Sequence, residues 1–444
     1  LESFGVFGIT PKKISCNIWY FSQMEAKKAF QKRQKNGIIG KDSLEEFKFS
    51  SYFKGGCVRM KVGKVLVCMM ILVAFAGSAL AADDVLRIGV YEPLTGQNAF
   101  GGQLTVDGIR LAHEQKPEII GRKVELFIVD NKSDKVEAAN AVKRLIEKEK
   151  VIAIIGSYGS SLSMAGGEVA EKAGVPCLTD SATNPLVTQG KKYYFRMCFI
   201  DPYQGAAAAQ YAFDNGARKG ALLLDVAQDY SVGLGKFFHE AFEGLGGKVV
   251  ARLNYQTGDQ DFTAQLTEII SQGAEVLFIP SYFAEGAIII KQARELGAEF
   301  SIMGGDAMDN PDMIAIGGDA IEGFAYTTFP YAPEMPDMTQ MAVEFTAQWK
   351  EAFPDKDPNA NSALGYDCYM LIADAIERAY AEDPEVFDAD PSEAITKALA
   401  ATKGWEGVTG ATTINETHDA EKPVGIKVVI DGKQVYTASV MPEI

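Results

Sequence analysis

The chain has 444 residues, 47% of them hydrophobic and 23% charged, and a formal net charge of −16. That length exceeds one ordinary core and suits two lobes with a leader in front of them. The acidic balance excludes a nucleic-acid partner, because a phosphate backbone needs a basic face.

The charge is unevenly spread. Residues 1–59 hold 11 Lys and Arg against 5 Asp and Glu, so the remainder is more acidic than the whole. Met60-Lys61-Val62-Gly63-Lys64 then gives a short positive start, 65–76 is apolar throughout, and Ala79-Leu80-Ala81 supplies small residues. This order reads as a signal peptide over 60–81, cleaved to release a periplasmic protein. The rival reading is an uncleaved anchor, which 65–82 is barely long enough to provide and which Gly77 and Ser78 weaken. Residues 1–59 fit neither reading and are expected to be upstream sequence outside the true protein. Cysteines 16, 57 and 68 fall in this region. Cys177, Cys198 and Cys368 remain beyond it, and whether Cys177 and Cys198 pair is left open.

Beyond residue 82, β-rich runs alternate with amphipathic stretches, which predicts parallel sheets covered by helices. Strands are expected at 85–91, 124–129, 151–156 and 175–179, with helices at 105–115, 135–147 and 162–173 between them. After Asp201-Pro202 the alternation restarts. Helices at 204–215, 231–245, 262–271 and 285–296 are interleaved with strands at 220–225, 248–255, 276–280 and 300–304. Two sheets of ordinary width explain this better than one very wide sheet. The stretch 338–402 reads as mostly helical, with Trp349, Phe353, Tyr366 and Leu371 inward. Runs at 425–430 and 434–440 form a hairpin around Asp431-Gly432.

Reactive groups are scarce. His113, His239 and His418 lie far apart and in no metal-ligand spacing. No nucleophile elbow, Walker loop or dinucleotide fingerprint occurs, so the sequence argues against an enzyme and calls for no cofactor or metal.

Several short stretches occur in a telling order. They are Leu94-Thr95-Gly96, the turn from Ile155 through Gly156-Ser157-Tyr158-Gly159 to Ser161, Val175-Pro176, and Ser181-Ala182-Thr183-Asn184-Pro185. Phe195-Arg196, Asp229-Tyr230-Ser231, Pro280-Ser281-Tyr282 and Gly365-Tyr366-Asp367 follow. From about Val85 to Val440 the chain thereby resembles the branched-chain amino-acid-binding branch of type I periplasmic binding proteins. The resemblance implies an α/β fold of two Rossmann-like lobes with parallel sheets, joined by a three-strand hinge. The crossings would fall near 201, near 328–330 and near 411–413. Lobe one would be 85–200 with about 331–411, and lobe two 202–328 with the closing hairpin. It also implies an extracytoplasmic protein that passes a small amino-acid-like ligand to an ABC permease by hinge closure. A ligand-sensing ectodomain of an anchored receptor is the alternative.

Ser160 and Ser161 open a helix, where free N–H groups and the dipole favour an anion. The resemblance makes Ser160, Ser181, Ala182 and Thr183 a carboxylate cradle and gives Ser161 a place beside it. Ser160 as a plain N-cap and Thr183 as a turn former remain the simpler alternatives. Asp306 aligns with the acidic partner of a ligand ammonium, its alternative being a solvated capping carboxylate. Tyr230 and Tyr282 match aromatics that close over the ligand, and Tyr158 would wall the pocket. Binding is expected to start on lobe one through Ser160, Thr183 and Asp306, with Tyr230 and Tyr282 swinging in afterwards. Gly101, next to Phe100, stands where relatives carry a first-loop tyrosine. Ser133 and Gly159 replace a cysteine pair, so that disulfide is absent here.

Overall fold

The computed structural model describes residues 85–335 and 338–441. The upstream segment 1–59 and the leader 60–81 lie outside the described residues.

The first lobe is built on a six-stranded sheet in the order β2-β3-β1-β4-β5-β6. Its strands are β1 (Val85–Glu92), β2 (Glu118–Ile119), β3 (Arg122–Asp130), β4 (Ala153–Ile155), β5 (Cys177–Thr179) and β6 (Tyr194–Arg196). All run parallel except β2, which turns back on β3. Helices cover both faces, which is why the central strands read as continuous apolar runs. Ile88, Val90, Ile155 and Leu178 pack towards α1 (Ala99–Gln115) and the long helix Ala360–Glu382. Tyr91, Ile154 and Cys177 pack on the other face, towards α2 (Lys135–Arg144) and α3 (Ser160–Ala173).

The second lobe opens with α4 (Asp201–Asp214), whose first turn carries Pro202, a residue suited to a helix start. Its strands are β7 (Lys219–Asp225), β8 (Lys248–Tyr255), β9 (Val276–Ile279), β10 (Ser301–Gly304) and β11 (Ala325–Thr328). These five are parallel, and the later hairpin Val424–Ile430 and Lys433–Val440 adds two antiparallel strands beyond β11. Helices α4 and α5 (Asp229–Gly244) cover one face, with Phe238, Phe242 and Phe278 stacked among them. Helices α6 (Thr263–Ser271) and α7 (Phe283–Glu295) cover the other.

The chain passes between the sheets after β6, after β11 and again before Val424. Gly410–Thr412, close to the third anticipated crossing, pairs instead with Trp405–Gly407 in a separate two-stranded sheet. Ile414 and Ala420 still belong to the first lobe's core, and the second sheet is joined at Val424.

Helix α1 begins at Ala99, well before the expected residue 105. Gly101 and Gly102 lower helix propensity and hide the start. The helix needs its glycines for close packing. A Cβ on Gly108 would lie 2.0 Å from the Ser362 carbonyl oxygen, and one on Gly365 would lie 2.2 Å from that of Thr105. The two helices therefore cross backbone against backbone.

In each sheet the strand order reverses beside one strand pair, β1 and β4 in the first, β7 and β9 in the second. Loops at the carboxyl ends of such pairs leave a crevice where open α/β sheets bind ligands. Both crevices face the same cleft.

Candidate functional site

On the first lobe, Gly159 precedes α3 with φ of 92°, in the region that favours glycine. Its carbonyl accepts from the N–H groups of Leu162 and Ser163. Ser160 and Ser161 are thereby left at the open, partly positive end of a 14-residue helix. The Ser160 hydroxyl accepts from Asn184 N–H at 3.2 Å, which joins this turn to the neighbouring loop.

That loop runs from Asp180 to Asn184 after β5. Ser181 turns its hydroxyl onto Asp180 (2.6 Å), and the Ala182 N–H is held by the Thr179 hydroxyl at 3.3 Å. Arg196, fully buried, donates to the carbonyls of Ala182 and Asn184 and so fixes the loop from beneath. The Thr183 hydroxyl is buried and has no hydrogen-bond partner.

On the second lobe, Asp306 follows β10 and is buried. Its Oδ1 accepts from Gln204 Nε2 at 2.6 Å and from the Tyr230 hydroxyl at 2.9 Å. Gln204 also donates to Thr327, and its own Oε1 has no partner. The Tyr282 ring lies between those of Tyr158 and Tyr230, at 5.9 and 5.6 Å between centroids. Binding that starts on one lobe through Ser160, Thr183 and Asp306 does not match this geometry. Asp306 belongs to the second lobe, so the cleft carries its cradle on one side and its acid on the other.

Sequence reasoning missed Asp201 and Gln204, one turn apart at the start of α4. Asp201 donates its N–H to the Thr183 carbonyl at 2.9 Å, and both of its carboxylate oxygens are buried without a partner. Burial pushes Asp201 up to about 8, with the charge of Asp306 adding to it against the nearby Thr183 hydroxyl and Arg196. Burial also pushes Asp306 up to about 6, while the Gln204 and Tyr230 hydrogen bonds pull it down. Asp201 and Gln204 thus present acceptor oxygens that lack donors, beside the unpaired Thr183 hydroxyl and the Asp306 carboxylate, whose two donors both fall on Oδ1. A buried acceptor left unpaired is costly, and a group with several N–H donors satisfies this set. The signal was present in Asp201-Pro202, which reads first as a helix start.

Asp229 bridges the lobes. It exchanges hydrogen bonds with the Ser161 hydroxyl (2.9 and 3.0 Å) and pairs with Lys135 at 3.0 Å. Asn184 Nδ2 donates to the Asp229 carbonyl at 3.0 Å. Phe100 and Phe283 meet across the same cleft with centroids 5.9 Å apart. Beside it a crevice of about 590 Å³ is lined by Phe100, Leu104, Asp107, Asp309, Asn359 and Lys427, and not by the cradle.

Cys177, Cys198 and Cys368 are buried free thiols, so Cys177 and Cys198 are not bridged.

Comparison with known proteins gives a consistent result. A family model described as periplasmic binding protein matches residues 85–433. A crystallised leucine binding protein, LivK, from Thermotoga maritima is 43% identical, with a TM-score of 0.76 over 80% of this chain and 99% of its own. The branched-chain amino-acid transporter substrate-binding protein LivJ from Streptococcus pneumoniae, solved with isoleucine, is 29% identical. Its TM-score is 0.73 over 81% of this chain and 100% of its own. The leucine-, isoleucine-, valine-, threonine- and alanine-binding protein of Pseudomonas aeruginosa is 29% identical over 72% of this chain and 85% of its own length.

Proposed function

The chain belongs to the periplasmic binding protein family, and from that premise we propose that it captures a free amino acid of branched-chain type, or a close analogue. The observation that carries this reading is the pairing of opposite polarities across one cleft. The α3 N-terminus offers N–H groups and a positive dipole end, and the Asp306 carboxylate offers acceptor oxygens from the opposite lobe, with Asp201 and Gln204 beside it and the Thr183 hydroxyl on the cradle's own loop. A zwitterion needs both, because a buried charge left unpaired costs several kcal/mol, roughly.

In this reading the carboxylate docks on Ser160, Ser161 and the 181–183 loop, and the ammonium meets Asp306 with Asp201 and Thr183. Tyr158, Tyr230 and Tyr282 cover the remainder, as rings that bury apolar surface while keeping a hydroxyl for polar contact. Ligand contacts with both lobes favour the closed arrangement, in which Ser161 and Asn184 engage Asp229. The closed form is then presented to an ABC permease. Export through a cleaved leader at 60–81 places this step in the periplasm. The three passages between the sheets serve as the hinge.

A thermal-shift screen of the purified protein against amino acids and aromatic acids tests the proposal. A ligand at 100 times its dissociation constant adds about 2.7 kcal/mol of stability. Stabilisation by leucine, isoleucine or valine supports the reading, and indifference to every α-amino acid contradicts it.

A further inference from the structure

Two acids lie beneath the cradle without a counter-ion. Glu92 ends β1 and Asp180 follows β5, so their side chains reach towards each other past the end of the intervening strand β4. Both are fully buried. Glu92 Oε2 accepts the Tyr158 N–H at 2.7 Å and so holds the turn that leads into α3. Asp180 Oδ2 accepts from the Ser181 hydroxyl at 2.6 Å and from Thr105 at 3.0 Å, and so holds the neighbouring loop. The other oxygens, Glu92 Oε1 and Asp180 Oδ1, have no donor. Glu92 Oε1 lies just past the end of β4, 3.0 Å from where a Cβ on Gly156 would stand, and the charge of each carboxyl group bears on the other.

Arg196, also beneath the cradle, is taken up by Asp419, Thr188 and the Ala182 and Asn184 carbonyls, and the other groups around the two acids supply no compensating charge. Tyr91 on β1, Cys177 on β5, Tyr158 in the turn, Cys198 after β6 and Cys368 on the long helix face the pair. Burial pushes each of these hydroxyls and thiols up, so they stay neutral near pH 7. From the second lobe, Asp306 and Asp309 face Tyr158, the latter already paired with Lys427 at 3.1 Å, and neither brings a cation to the two acids. Two bare carboxylates here would repel each other and any anion in the cradle above them.

We propose that Glu92 and Asp180 share one proton between Oε1 and Oδ1, and that this acid pair positions the cradle. The shared proton ties the Tyr158 turn to the Ser181 loop and halves the negative charge beneath the ligand carboxylate. The inference deepens the reading of Ser160 and residues 181–183 as an anion cradle and rests on it. Burial pushes both carboxyl groups upward, in keeping with a retained proton.

Infrared spectroscopy at pH 9, above the value of about 8 for Asp201, tests the proton directly. The wild-type protein should show a protonated-carboxyl C=O band that is lost in both Glu92→Gln and Asp180→Asn. A wild-type spectrum without such a band, or a band unchanged in both variants, overturns the proposal. This readout requires no ligand, so it decides the matter even if every amino acid fails to bind. With L-leucine as the probe, Glu92→Ala should weaken binding about tenfold or more. Glu92→Gln, whose amide supplies the missing hydrogen, should recover most of that loss. Equal loss in the two variants counts against a shared proton.

Discussion

Arg196 and Asp419, 223 positions apart in sequence, form a buried ion pair with Nε and Oδ1 at 2.7 Å. Arg196 ends β6 beneath the cradle, and Asp419 lies shortly before the chain joins the second sheet at Val424. The guanidinium also bonds Thr188 and the carbonyls of Ala182 and Asn184. One side chain therefore joins the ligand loop to a connection between the lobes.

Removing either partner strands a buried charge, which costs about 3–5 kcal/mol. Asp419→Ala should lower the urea midpoint by a corresponding amount and weaken ligand binding as the loop loosens. A stability change below about 1 kcal/mol would show that the pair is compensated elsewhere.

Asp306→Asn keeps an oxygen for Gln204 and Tyr230 and removes only the charge. Calorimetry should show affinity for an α-amino acid falling about tenfold or more, since a charged hydrogen bond contributes about 1.5–3 kcal/mol. Asp201→Asn should act in the same direction. Unchanged affinity in both variants would remove the acids from the ammonium site.

The raised values for Asp201 (about 8) and Asp306 (about 6) have a defined sign. Both exceed the ordinary carboxylate value, so the folded ligand-free protein holds protons that the unfolded chain has released. Its stability should fall as pH rises from about 4 towards 8, by at most about 1.4 kcal/mol per pH unit per group. An ammonium ligand favours the ionised acids, so its stabilising effect should grow over the same interval. Melting curves with and without leucine check this. A ligand shift that shrinks as pH rises from 5 to 8 would contradict the assignment.

Alanine normally improves a helix over glycine by about 1 kcal/mol. Gly108→Ala should do the reverse, because its Cβ would meet the Ser362 carbonyl at 2.0 Å. A loss of about 1–3 kcal/mol is expected on denaturant unfolding. A stabilised variant would mean that α1 and the Ala360–Glu382 helix separate easily.

Asp229→Ala removes the carboxylate contacts to the Ser161 hydroxyl and to Lys135 across the cleft and leaves the backbone N–H that donates to Ser161 and the carbonyl that Asn184 uses. Small-angle scattering with bound ligand should show a larger radius of gyration, together with a several-fold faster ligand release. A scattering curve identical to wild type would place the closing force elsewhere.

The alternation of strands and helices was legible because central strands such as 151–156 are apolar on both faces. The starts of α1 and α4 were not. Gly101 and Gly102 are kept small by Tyr158 and Pro93, which a Cβ would meet at 2.4 and 2.3 Å, and Asp201-Pro202 looks the same whether it caps a helix or faces a ligand. Thr183 and Asp306 stood out in the sequence through the resemblance, whereas the partners that make them useful, Gln204 and Asp201, lie on a helix that begins between the lobes. Glu92 was hidden for a simpler reason. A carboxylate at the end of an apolar strand reads as the first exposed residue, and only the fold shows it turned inward beneath the cradle.

The most direct test uses three compounds that differ by one charge each. Calorimetric titration should give one-to-one binding of L-leucine, and at least about a hundredfold weaker binding of 4-methylpentanoate and of isopentylamine, which lack the ammonium and the carboxylate respectively. Equal affinity for either truncated compound, or no binding of any α-amino acid, would contradict a cleft built to hold both ends of a zwitterion.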